Sequence, residues 1–140
     1  MTTRLKGRRR DAAAVIEDIA IWAAGRDDVV AVAVVGSYAR GAERMGSDVD
    51  IIVLADRSDP LTDVGWFRQL RPRARLIRSK EWGPVKERRM RLPSGLQVEL
   101  GFAASDWAAV PLDPGTRRVL SDGHRIVYDT GILTAAVAAL

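Results

Sequence analysis

The chain has 140 residues, 47% of them hydrophobic, and a formal charge of +4 at neutral pH; that length closes a core without disulfides or a structural metal, so a single domain is expected over residues 1–140, with a core at about 10–102 and a C-terminal extension at 103–140. The absence of cysteine excludes a disulfide framework, a thiolate zinc site and a thiol nucleophile, and makes a reducing cytoplasm the natural compartment. The lone histidine, His124, cannot build a metal cluster by itself and reads as exposed.

The basic start MTTRLKGRRR runs into Asp11, Glu17 and Asp18 rather than into the apolar stretch of a signal peptide, and Arg8, Arg9 and Arg10 read as a frayed basic terminus. Val15, Ile16, Ile19, Trp22 and Ala23 recur at helical spacing and predict a first helix over about Arg10 to Gly25, its stripe laid on a sheet. Val29 to Val35 is a β-branched run, hence a first strand, and it stops at Gly36-Ser37, where a short helix begins. Val49 to Leu54 predicts a strand buried on both faces. Leu61 to Leu70 has a helical pattern, and Ala74 to Arg78 that of a strand. Val85 to Leu92 and Leu96 to Phe102 predict a hairpin about the turn Pro93-Ser94-Gly95. Beyond Ala103, prolines and glycines cut the chain into short pieces, and only Ile132 to Leu140 reads as a helix. The longest apolar runs are strand-sized, so no membrane span is expected.

The richest chemistry lies in Gly36-Ser37-Tyr38-Ala39-Arg40-Gly41 and Ser47-Asp48-Val49-Asp50. Strand side chains alternate, so Asp48 and Asp50 share one face and repel each other unless a cation or basic group offsets their charge. A glycine at the end of a strand lets a ligand approach the backbone, and the following helix start offers amide donors to phosphate. Gly36 and Ser37 therefore read as a phosphate cradle, and the two aspartates as the magnesium holders beside it. Arg40, just beyond the cradle, lies within reach of a triphosphate oxygen or of the charge on a leaving pyrophosphate, and Ser47 adds a hydroxyl donor. Without the aspartates, the blander reading of Ser37 is a helix N-cap.

Gly-Ser, ten intervening residues and Asp-x-Asp resemble the signature of the nucleotidyltransferases of the DNA polymerase β superfamily, and GSYARG…SDVD is similar to its minimal members, which include antitoxins that modify HEPN-type ribonuclease toxins. The resemblance implies an α/β (α+β) polymerase β-like fold, a mixed sheet of about four to five strands flanked by helices. It also implies a third acid on a later strand, best matched by Glu99. Asp48, Asp50 and Glu99 would then hold two magnesium ions, for which manganese can substitute, while AMP from ATP passes to a hydroxyl of a protein or small molecule. A HEPN-type toxin or a second copy of the chain would be the partner.

Other residues have ordinary roles as well. Arg88, Arg89 and Arg91 serve a nucleotide or polyanionic acceptor, or else solvated strand faces and cross-strand pairs with Glu99 or Glu87. Trp22 and Trp66 fall at core spacing; Trp82 reads as a lid over the core or a stacking surface for a base. The alternative to an enzyme is a nucleotide- or partner-binding protein without turnover. A third reading, nucleic-acid binding through the arginines, predicts affinity that falls steeply with salt; 19 of the 22 basic residues are arginine, the exceptions being Lys6, Lys80 and Lys86.

Overall fold

The computed structural model describes residues 3–44 and 46–140, with side chains from Leu5 onward. In chain order the elements are α1 (Thr3–Ala24), β1 (Val29–Val35), α2 (Gly36–Arg40), β2 (Val49–Ala55), α3 (Gly65–Leu70), β3 (Arg75–Trp82), β4 (Val85–Arg91), β5 (Gln97–Ala104), α4 (Pro114–Ser121), β6 (His124–Asp129) and α5 (Ile132–Ala138), with 3-10 turns at Asp59–Leu61 and Ser105–Ala108. The strands form one six-stranded sheet in the order β3-β4-β5-β2-β1-β6. β2 and β5 run parallel, and every other neighbouring pair is antiparallel.

One face of the sheet is closed by α1. Ala12, Val15, Ile16, Ile19 and Ala23 are buried at helical spacing against Val32, Val34, Val49, Ile51, Val53, Val98, Leu100 and Phe102. Each fully covered aliphatic side chain contributes roughly 1.5–3 kcal/mol by leaving water. Trp22 of α1 stacks on Trp66 of α3 with ring centroids 3.8 Å apart, while the Trp66 indole nitrogen donates to the Leu61 carbonyl at 3.0 Å. The helix expected over Leu61 to Leu70 is broken in two. Val64 adopts a left-handed φ of 54°, and the Asp63 carboxylate captures the Gly65 amide at 3.0 Å, so α3 starts afresh at Gly65.

The segment after Ala104 departs most from the sequence reading. Asp113 accepts a hydrogen bond from the Gly115 amide at 2.9 Å, and with Pro114 in the first turn this starts an unexpected helix, α4. β6 adds a sixth strand beside β1. Trp107, Leu112, Leu120, Leu133 and Ala136 then bury themselves on the second face of the sheet, over the small side chains of Ala31, Ala33 and Ala103 and over Leu54. His124, expected to be exposed, is half-buried opposite Val35, its Nδ1 2.8 Å from the Leu120 carbonyl oxygen to which it donates. At the other end, Arg8 to Arg10 are not frayed: α1 already runs through them, and Arg9 forms an ion pair with Glu43 at 2.8 Å. Among the described residues, no helix is long and apolar enough to cross a membrane.

Candidate active site

The tail covers β1, β6 and the C-terminal ends of β2 and β5 on the second face, and the part it leaves open carries charge. Along β2, Val49, Ile51 and Val53 turn into the α1 core, so Asp50 projects from the opposite side. β5 alternates in the same way: Val98 and Leu100 are buried, and Glu99 stands beside Asp50 in the parallel register. Glu99 pairs with Arg89 of β4, and Arg89 with Arg78 of β3. One lateral row therefore crosses the sheet from Val35 through Asp50, Glu99 and Arg89 to Arg78.

This row is tightly connected. Arg78 Nη2 lies 2.7 Å from Glu99 Oε1 and 3.2 Å from Glu87 Oε1. Arg89 Nη2 sits 3.1 Å from Glu99 Oε1 and 3.1 Å from Asp48 Oδ2, bridging two of the acids picked out in the sequence. Burial, reinforced by Glu99, Asp48 and Glu87, raises the Asp50 carboxyl to about 7. Asp48 is also raised by burial, with Arg89 opposing. Glu99 takes the opposite course: burial would raise it, but its hydrogen bonds to Glu87, Arg78 and Arg89 hold it below the usual value.

Gly36 stands directly over Asp50. Its φ is +74°, and a Cβ there would lie 2.4 Å from Asp50 Oδ2, so only glycine lets the end of β1 approach the carboxylate this closely. Ser37 lies in the first turn of α2, which has no side-chain cap, so the N-cap reading of Ser37 does not hold; among the described residues its hydroxyl has no hydrogen-bond partner. A glycine-serine turn thus faces a cluster of acids at the open end of the sheet. A family model described as a nucleotidyltransferase domain matches residues 19–98. The chain belongs to the nucleotidyltransferase domain family. No curated protein matches it.

The matched span of this nucleotidyltransferase domain contains Gly36, Ser37, Asp48 and Asp50 and stops just before Glu99. Carboxylate oxygens are the donors that hard divalent cations prefer, and the charge that lifts Asp50 is what such an ion would relieve. The donor chemistry therefore fits magnesium. Among the described residues, no three candidate ligands are already gathered at ligating distance, because the Arg89 guanidinium sits between Asp48 and Glu99. The buried Nε atoms of Arg78 and Arg89 have no partner, which leaves both side chains donors in reserve.

Two other sequence candidates have local partners. Arg40 Nη1 donates to the Asp122 carbonyl at 3.0 Å, and its Cγ packs where a Cβ on Gly123 would lie 2.5 Å away, so Arg40 ties α2 to the turn before β6. Ser47 Oγ accepts from the Arg44 amide at 2.8 Å and shapes the loop that delivers Asp48. Sequence reasoning missed Arg78 and Glu87 as members of the site; the two-residue alternation that placed Glu99 would have found Glu87. It also missed a cavity of about 420 Å³ beside Asp50 and Glu99, walled by Ile52, Val85 and Trp107 and edged by Trp82. Gly101 keeps its floor open: a Cβ there would come within 2.9 Å of Ile52 Cδ1 and 3.2 Å of Val85 Cγ1. Trp107 comes from the tail, where no motif marked it.

Proposed function

We propose that the chain transfers a nucleoside monophosphate, with ATP as donor, to a hydroxyl group held next to Glu99. The observation that carries this reading is the Asp50 carboxylate set against Gly36, in one row with Glu99 and two residues along from Asp48. Magnesium held by Asp48, Asp50 and Glu99 would supply neutralisation of phosphate charge and a more acidic acceptor hydroxyl. The Gly36-Ser37 turn orients the triphosphate through backbone amides and the unpartnered Ser37 hydroxyl. Arg78 and Arg89, each with an unused Nε, steady the acids and add positive charge beside them. As the acceptor oxygen bonds to the α-phosphorus, the bond from that phosphorus to the α,β-bridging oxygen breaks, pyrophosphate leaves with the electron pair, and the hydroxyl proton passes to a Glu99 oxygen. The apolar cavity next to the acids excludes bulk water and gives the acceptor a seat.

The test is incubation with α-labelled ATP, magnesium and cell lysate, comparing the native chain with Asp48→Asn/Asp50→Asn. Label on a macromolecule or metabolite with the native chain alone is expected, and digestion by protease or nuclease then assigns its class. Equal labelling by both proteins would remove the acids from the chemistry.

A further inference from the structure

The open face of the β3–β4 hairpin carries a pattern that nucleotide transfer by itself does not require. Arg75 and Arg91 are directly opposite in the antiparallel register, a like-charge pair that destabilises a ribbon unless an anion offsets it. Arg73 joins them around a hollow of about 360 Å³. All three are exposed, and among the described residues none has a side-chain hydrogen bond or ion pair. Two positions further along β4, on the same face, comes Arg89 with Arg78 across from it, then Lys80 across from Glu87. The stripe ends at the hairpin tip with Trp82, 56% exposed, a side chain that covers no core. Lys80 Nζ lies 4.8 Å from the centre of that indole.

Forked guanidiniums in file with an exposed aromatic ring at the end match one ligand chemistry: phosphates at regular intervals joined to unpaired flat bases. We infer that this face binds a single strand of nucleic acid. Eight residues of strand span about 25 Å, the reach of roughly four nucleotides, at the short end of known single-strand footprints. Phosphates occupy the Arg73, Arg75 and Arg91 hollow and a base stacks on Trp82. Because the stripe passes Glu99, the bound strand also offers its hydroxyl to the acid row; that last clause rests on the transferase reading, whereas the binding does not. An acidic protein would satisfy the arginines but leave Trp82 unused, and a duplex would offer it no free base.

The test uses the full chain, a fluorescent single-stranded oligonucleotide of roughly ten nucleotides, and anisotropy across a salt series. Binding should weaken linearly on a log–log plot. Arg75→Gln/Arg91→Gln should lower affinity at least about tenfold and reduce the slope by about 1.4, two phosphates at 0.7 each. Trp82→Ala should cost about tenfold with the slope unchanged. Mg-ATP binding by the arginine variant should equal that of the native chain. The inference is overturned if both variants bind as tightly as the native chain, or if poly-glutamate or a duplex of equal length competes as well as the single strand. Asp48→Asn/Asp50→Asn separates the two proposals. Strand binding with labelling that ignores the aspartates sinks the transferase centre alone; aspartate-dependent labelling without strand binding sinks the nucleic-acid track alone.

Discussion

The second face of the sheet is built in two contrasting halves. On β1, and at the far end of β5, Ala31, Ala33 and Ala103 present shallow apolar ground, and the tail lays Trp107, Leu120, Leu133 and Ala136 over it. On the β4 side the same face bears Glu87, Arg89 and Glu99, which no helix covers. Asp50 sits at the border, half in each environment. The contrast teaches that the tail stabilises the domain by ending where the chemistry begins: apolar cover stops at the cavity, and beyond it the charges must satisfy one another.

The sharpest way to break the covered half is Leu133→Ala, because Leu133 is fully buried in that cluster. Urea denaturation should reveal a loss of about 2–5 kcal/mol, with transfer by the folded fraction unchanged. At the border, Gly36→Ala should lower transfer by on the order of 100-fold while the protein stays folded, since the new methyl pushes Asp50 from its place by an ångström or so. On the open half, Asp50→Asn should raise stability by about 1 kcal/mol, roughly 3 °C in melting temperature, because a carboxyl that burial and the neighbouring Glu99, Asp48 and Glu87 make costly to ionise is replaced by a neutral amide.

The smallest effect belongs to the covered half again. Burial alone would raise the Asp129 carboxyl, but hydrogen bonds from Thr134 and the Leu133 amide hold it below its ordinary value of 3.8 while it starts α5. A depressed folded value means that this stabilisation is complete above about pH 4 and disappears as the pH falls through the folded value. Asp129→Ala should therefore cost about 1 kcal/mol near neutrality, as a lost cap does. In acid-series denaturation the difference from the native chain should narrow as the pH falls below the ordinary carboxylate value.

What the sequence disclosed follows from how local each signal is. Asp48, Asp50 and Gly36 lie within one strand-turn-strand passage, and alternation alone sets the acids on one side of β2. Glu99 was found by the same period, since Val98 and Leu100 had to face the core. Arg78 was missed because a bulge between Leu76 and Arg78 shifts the register, which no local pattern in the chain announces. The tail was misread because its stability is tertiary: the half-buried faces of α4, β6 and α5 make sense only against Ala31 and Ala33, about a hundred residues earlier. The Asp113-Pro114 start of α4 is a legible helix signal, masked by the prolines and glycines around it.

The most direct measurement of the central claim is manganese binding followed by electron paramagnetic resonance in the presence of a non-hydrolysable ATP analogue. The native chain should remove the free-ion signal in proportion to protein, and Asp48→Asn/Asp50→Asn, with an unchanged circular dichroism spectrum, should leave it in solution. Equal uptake by the two proteins would contradict the assignment of the acid row as the place where metal and triphosphate meet.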